Sequence, residues 1–141
     1  MCESKSYTNQ EGEVLDINTT KRKAGLFINF SNHPSDTWTT PQTSAALAYA
    51  DQIIDIPFPA VDPTMDERGI YDLADKMTSE ILTINPSAVL CQGEFGLCFS
   101  VVRRLQKAGV QVLYACSERK VRVEGSTKTV QFDFVKFRRY E

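Results

Sequence analysis

From residue 24 onward, apolar runs alternate with polar breaks in a regular rhythm. AGLFINF (24–30) is an apolar run bounded by a polar loop, the pattern of a strand buried in a parallel sheet. SNHPSDTW (31–38) reads as loop, and Thr40 followed by Pro41 reads as a helix start, a capping hydroxyl before a proline in the first turn. That helix is expected to run to about Ala50, with Ala46, Leu47 and Ala50 on one face. QIIDI (52–56) predicts a second strand, and PFPAVDP (57–63) holds too many prolines for regular structure. Thr64-Met-Asp-Glu67 has the form of a capping box, ahead of a helix with Ile70, Leu73, Ala74, Met77 and Ile81 on one face and Asn85-Pro86 at its end. SAVLCQ (87–92) predicts the third strand. Gly93-Glu-Phe-Gly96 then turns into a helix whose core face reads Phe95, Cys98 with Phe99, Val102 and Leu105, and Gly109 supplies its stop. VQVLYAC (110–116) predicts the fourth strand. The remainder reads as a β-hairpin turning near Gly125-Ser126, with Val130, Phe132, Phe134 and Phe137 alternating along its second strand.

Strands alternating with helices through connections this short predict an α/β fold. It is a Rossmann-like three-layer domain with a mainly parallel sheet, right-handed crossovers and a C-terminal β-hairpin. The domain is expected over residues 24–141, the hairpin occupying 119–141. Residues 1–23 form a polar appendage, in which Glu13-Val-Leu-Asp-Ile17 has the character of an added edge strand.

A chain of 141 residues makes one domain, and at this size roughly 68% of the unfolded surface is buried, enough for a core without metal or disulfide. No apolar run approaches the about eighteen residues of a membrane span, and the polar first 25 residues have no signal-peptide centre. The expected compartment is the cytoplasm. The four cysteines, at 2, 91, 98 and 116, have no C-x-x-C spacing, and His33 is the sole histidine, so a structural zinc site is not expected. Cys91, Cys98 and Cys116 lie in apolar runs and read first as buried reduced thiols, with a nucleophilic Cys91 or Cys116 at a strand end as the sharper reading. Net charge is −2, but residues 1–94 carry 6 Lys/Arg against 14 Asp/Glu (−8) and residues 95–141 carry 10 against 4 (+6). That split excludes a uniformly basic binder of long nucleic acid. It fits a small anionic ligand near the basic half, and also self-association that sets one face against the other.

In open parallel sheets, ligands bind beyond the carboxyl ends of the strands, where strand order reverses. This rule selects the loops after the four strands: Asn29 to Pro34 with Ser31, Asn32 and His33; Pro57 to Pro59; Gln92, Gly93, Glu94, Phe95 and Gly96; and Ser117, Glu118, Arg119 and Lys120. The start of the helix after Gly93 offers free N–H groups to an anion, or Glu94 caps it and the glycines only permit packing. It is neither a dinucleotide fingerprint nor a P-loop. His33 is the one side chain with an unperturbed pKa near neutrality, suited to an acid–base role or a ligand contact; the plainer alternative is a loop histidine that steadies its turn. Arg119 grips phosphate bidentately where Lys120 acts as a point charge, or else pairs with Glu118 in solvent. Trp38 and Phe58 on the same rim are candidates to stack on a base, or lids over their own helices.

The segments LFINFSNHPSDTWTTPQ, VLCQGEFGLCFSVVRRLQKAGVQVLYACSERKV and FVKFRRYE resemble the small Csx-type CRISPR-associated proteins of type III loci. These are grouped with the ring nucleases and are remote relatives of CARF domains. The likeness covers about residues 26–141 and rests on N-F-S-N-H-P, Q-G-E-F-G and C-S-E-R at the ends of three successive strands. It implies a Rossmann-like homodimer that recognises cyclic oligoadenylate, cyclic tetra-adenylate being the expected ring, and removes it by metal-independent cleavage or by sequestration. The implied ligand loops are Asn29–His33, Gln92–Gly96 and Ser117–Lys120, with no cofactor and no metal. A ring nuclease needs the ribose 2′-hydroxyl in line with the adjacent phosphorus and leaves a 2′,3′-cyclic phosphate. Bending the ring and stabilising charge then supply most of the catalysis, and His33 is the best candidate catalytic residue. The alternative class is a Rossmann-like nucleotide- or nucleoside-processing enzyme, such as a deoxyribosyltransferase relative. Such an enzyme wants a carboxylate in the site, for which Glu94 and Glu118 are the candidates.

Overall fold

The computed structural model describes residues 25–141, together with Gln10 and the backbone of two short strands, β1 (Ser6–Thr8) and β2 (Val14–Asp16). The rest of the polar appendage lies outside the described residues. β1 and β2 pair antiparallel in a two-stranded ribbon, so the segment expected to extend the main sheet pairs instead within the appendage. The main domain runs β3 (Leu26–Ser31), α1 (Thr40–Leu47), β4 (Gln52–Pro57), α2 (Glu67–Ile84), β5 (Ala88–Cys91), α3 (Phe95–Lys107), β6 (Val112–Glu124) and β7 (Thr127–Arg139), with a 3₁₀ turn at Ser35–Thr37. The sheet order is β4-β3-β5-β6-β7. Its first four strands are parallel and β7 returns antiparallel to β6. This is the α/β architecture that the alternation of runs predicts, a Rossmann-like three-layer domain with a C-terminal hairpin. The chain leaves β3 for β4 on one side and then crosses back to β5 on the other. The reversal of strand order therefore falls between the carboxyl ends of β3 and β5.

The two-residue period of β3 sorts the core into two layers. Leu26, Ile28 and Phe30 face α2 and α3, joined by Ile54, Ile56, Val89, Cys91 and Val112. Phe27 faces the other way, with Ala46 of α1, Ile53, Leu90, Leu113 and Phe137. Among the described residues, the second layer has only the eight-residue α1 for a helix. Aromatic rings complete it: Phe137 of β7 lies 5.4 Å from Phe27, with Trp38 and Tyr49 around the pair. On this face Asn29 and Ser31 follow Phe27 at alternate positions. The apolar layer thus gives way to polar groups at the carboxyl end of the central strand.

Several element boundaries differ from expectation, each for a local reason. α1 stops at Leu47 rather than Ala50, and its cap is Thr39, which makes no side-chain capping bond. α2 is capped by Asp66, which accepts from the Gly69 N–H at 2.8 Å. Thr64 spends its hydroxyl on Asp62, so the capping box does not form. In α3 the buried face is Leu97, Cys98, Val101, Val102 and Leu105, whereas Phe95 and Phe99 are 92% and 63% exposed and are not core. Asn85 (φ 56) and Gly109 (φ 82) stop α2 and α3 where expected. β6 and β7 each run for 13 residues, joined at Gly125-Ser126 with Gly125 at φ 62, as a type II′ turn requires. Ser117–Lys120 are therefore strand residues, not a loop, and the hairpin spans 112–139 rather than 119–141. A bulge opposite Cys116 and Ser117 leaves Val135 without a partner. It absorbs the three-residue step from Phe134 to Phe137 and keeps both rings on one face.

Gly93 follows β5 where Phe58 crosses beneath it. A Cβ added there would meet the Phe58 ring at 2.5 Å, and that ring is itself packed on Phe30, 4.7 Å between centroids. Gly93→Ala is expected to lower stability by about 1–3 kcal/mol by urea unfolding, the cost of overpacking a fixed site. In a Phe58→Leu background the same change should cost measurably less, since the ring is what the methyl meets. Equal costs in the two backgrounds would show that the strain lies elsewhere.

Candidate functional site

The polar end of β3 organises the loop that follows it. Asn29, 1% exposed, donates its amide protons to the His33 carbonyl at 2.8 Å and to Asp55 Oδ1 at 2.9 Å. Its Oδ1 accepts from the Ser31 hydroxyl at 2.7 Å, and Ser31 Oγ accepts in turn from the His33 N–H at 3.2 Å. Asp55 on β4 also accepts from the backbone N–H of Ser35 at 3.1 Å and from its hydroxyl at 3.0 Å. Trp38 Nε1 donates to the same His33 carbonyl at 3.2 Å. Segment 31–38 is thus pinned from two strands. The His33 backbone is fixed, while its exposed ring makes no hydrogen bond among the described residues.

Beside this loop, on the α1 face of the sheet, a cleft of about 610 Å³ opens at the strand-order reversal. Ser31 and His33 form one wall with Thr37, Trp38, Thr39 and Gln42. Leu90 and Gln92 form the floor, and Ala115, Ser117, Phe132 and Phe134 of the hairpin form the opposite wall. Its volume lies in the ordinary range for small-molecule sites. Gln92 also ties the floor to the far wall, its Oε1 accepting from the Ala115 N–H at 2.7 Å where the β5–β6 ladder has ended. A smaller pocket of about 330 Å³ lies on the β4 side, bordered by Asn29, Asn32, Asp55 and Phe58.

The thirteen residues expected to bind ligand divide accordingly. Ser31, His33, Gln92 and Ser117 line the main cleft. Arg119 pairs with Phe132 one rung beyond the Ser117–Phe134 pair, so it stands on the cleft side of the hairpin, exposed and without a partner among the described residues. Glu118 and Lys120 belong to the opposite face, where Lys120 Nζ meets Asp133 Oδ2 at 2.9 Å. The lysine's pKa is raised and the aspartate's lowered, first by that hydrogen bond. Asn29 and Asn32 border only the smaller pocket, and the amide of Asn29 is fully engaged by its neighbours.

Gly93, Glu94, Phe95 and Gly96 form the start of α3. There Glu94 accepts from the N–H groups of Gly96 at 3.1 Å and Leu97 at 2.8 Å, so its own carboxylate takes the place of an external anion. Of the two aromatic candidates, Trp38 reaches the cleft and Phe58 is core.

Sequence reasoning missed Thr37, Thr39, Gln42, Phe132 and Phe134. The alternation at 130, 132 and 134 was the available signal for the two phenylalanines, but only the pairing with Ser117 and Arg119 places them at the cleft. Among the described residues no three His, Cys, Asp or Glu side chains converge as metal ligands do, and no helix is long and apolar enough to cross a membrane.

No curated protein matches this sequence. A family model does, over residues 25–138, which takes in every element of the main domain and both walls of the cleft. The chain belongs to the uncharacterized protein MJ1673 family.

Proposed function

We propose that the cleft binds a cyclic oligoadenylate, the messenger class of type III CRISPR immunity, and removes it by metal-independent ring cleavage or by sequestration. The observation that carries the reading is the composition of the cleft at the strand-order reversal. Hydroxyl and amide groups (Ser31, Thr37, Thr39, Gln42, Gln92, Ser117) alternate with aromatic faces (Trp38, Phe132, Phe134) around the one histidine, and an unpaired guanidinium stands at the rim. Aromatic rings stack on bases, and amides and hydroxyls read base edges and ribose. Arg119 suits a phosphodiester better than a dense polyphosphate, since one cation serves one charge. The 2′-hydroxyl of the ligand is its own nucleophile, so cleavage asks the protein for in-line positioning, a proton acceptor and charge stabilisation. His33, Ser31 and Arg119 supply those three in this reading.

The glycosyl-transfer alternative is disfavoured because, among the described residues, the lining of the cleft includes no carboxylate: Glu94 caps α3 and Glu118 lies on the far face of the hairpin.

A two-fold dimer belongs to the same proposal. The hairpin carries Val121, Val123, Val130 and Phe132 exposed on the cleft side, Phe132 at 66%. The opposite net charges of the two halves of the chain favour apposition of unlike faces, and a two-fold assembly offers a repeating ring the same groups twice. Sedimentation is expected to show a dimer at micromolar concentration; a monomer with and without ligand would exclude it.

Labelled cyclic tetra-adenylate, run on native and denaturing gels, tests the central reading. A shift with cleavage supports a nuclease and a shift alone a sponge; the absence of both shift and cleavage overturns the messenger reading in favour of the nucleotide-processing class.

Arg119→Ala is expected to weaken binding about ten- to hundredfold, the loss of one charged contact, while Lys120→Ala leaves it unchanged. Equal effects of the two would deny the cleft-side placement of Arg119 its role.

If the protein cleaves, His33→Ala is expected to slow single turnover by about 10²–10⁴ with binding held within tenfold. A rate that is flat across the neutral range, and unmoved by the substitution, would take His33 out of the chemistry.

A further inference from the structure

Cys91 closes β5 and Cys98 lies one turn into α3. Segment 92–97 folds back between them and leaves the two sulfurs 3.6 Å apart, both as free buried thiols. The Tyr140 hydroxyl, just past the end of β7, donates to the Cys91 carbonyl at 2.8 Å and stands 3.6 Å from Cys98 Sγ. A pair of thiols packed merely as small hydrophobes has no need of each other or of a phenol. Here three polarisable groups from β5, α3 and the chain after β7 meet at one point beneath the site loop.

We propose that Cys91 and Cys98 form a redox-active dithiol that hydrogen peroxide converts to an intrachain disulfide, Cys98 being the attacking sulfur and Cys91 the resolving one. Position assigns the roles. Cys91 is fully enclosed in the strand, whereas Cys98 keeps 9% exposure and is the sulfur that peroxide reaches first. The surroundings agree. Hydrogen bonding from Cys91 is the largest influence on Cys98. Together with the Gly93 N–H, it holds the Cys98 thiol below its ordinary range, against burial and the Glu94 carboxylate. Cys91 moves the other way, held protonated by the same bond and by burial.

In the first step the Cys98 thiolate attacks one peroxide oxygen. The O–O bond breaks, sulfur gives up two electrons, and sulfenic acid and hydroxide form. In the second, the Cys91 sulfur attacks Cys98, the S–O bond breaks, and the sulfenic oxygen leaves as water with the Cys91 proton. Two thiols and one peroxide thus yield one disulfide and two waters. Closing the sulfurs from 3.6 Å to about 2.05 Å draws the first turn of α3 toward the end of β5. Gln92, floor of the cleft and anchor of Ala115, lies in the segment that must adjust.

The test takes the reduced full chain, stoichiometric hydrogen peroxide at neutral pH, an iodoacetamide quench and peptide mapping. The expected product is a Cys91–Cys98 crosslinked peptide, lighter by two hydrogen atoms, reversed by dithiothreitol and formed about tenfold faster than any oxidation of Cys116. Cys91→Ser is expected to accumulate a Cys98 sulfenic acid that dimedone traps. Cys116→Ser is expected to leave the crosslink intact. Cys98 reacting no faster than Cys116 in the unaltered chain overturns the proposal whether or not the serine variants fold. So does a crosslink that disappears with Cys116→Ser.

Discussion

The buried amide of Asn29 is the constraint on which the site depends. The central strand must bury both faces, yet it carries a side chain with two donors and an acceptor inside the second layer. A buried polar group without a partner costs about 1–3 kcal/mol, so the loop after the strand has to supply partners. It does so through the His33 carbonyl and Ser31, while Asp55 reaches across from β4 and takes hold of Ser35 as well. The backbone of 31–38 therefore has one arrangement that satisfies every group, and in that arrangement His33 and Trp38 form the wall of the cleft.

The second determinant is the length of the hairpin. With one short helix on the α1 face, the carboxyl end of the sheet would lie open. β6 and β7 run well past the end of β5, and the bulge at Val135 turns Phe134 and Phe137 onto the same side. Phe137 closes the aromatic layer over Phe27, and Phe134 with Phe132 makes the far wall. The same device leaves Val121, Val123 and Phe132 exposed on that face of the hairpin.

Strands and crossovers were legible in the chain because each apolar run is short, bounded by a turn signal and followed by a helix with its own period. The strand-end rule points to the rim at which the cleft opens, and four of its residues line that cleft. Its failures have physical causes. Phe95 and Phe99 share helical spacing with the true core face of α3, and only the packing of α2 against Leu97, Val101 and Leu105 decides between two apolar stripes. Glu118 and Lys120 lie in β6 rather than in a loop because the strand continues past Cys116 to Glu124. A charged run in a strand that extends beyond the core has no apolar alternation to announce it.

The start of α3 shows how a correct local signal leads to a different chemistry. Free N–H groups after a strand invite an anion, and of the two readings given for this helix start the structure has the one in which Glu94 caps it. The chain answers with Glu94, whose carboxylate satisfies Gly96 and Leu97 and leaves that end of the helix neutralised. In the proposed function the anion contact falls instead to the hairpin, where Arg119 stands on the cleft side with no carboxylate partner among the described residues. Gly93 is kept by the Phe58 ring rather than by a phosphate. Segment 92–97 thus joins the cleft floor at Gln92 to the paired thiols in the other layer, and its shape answers to both.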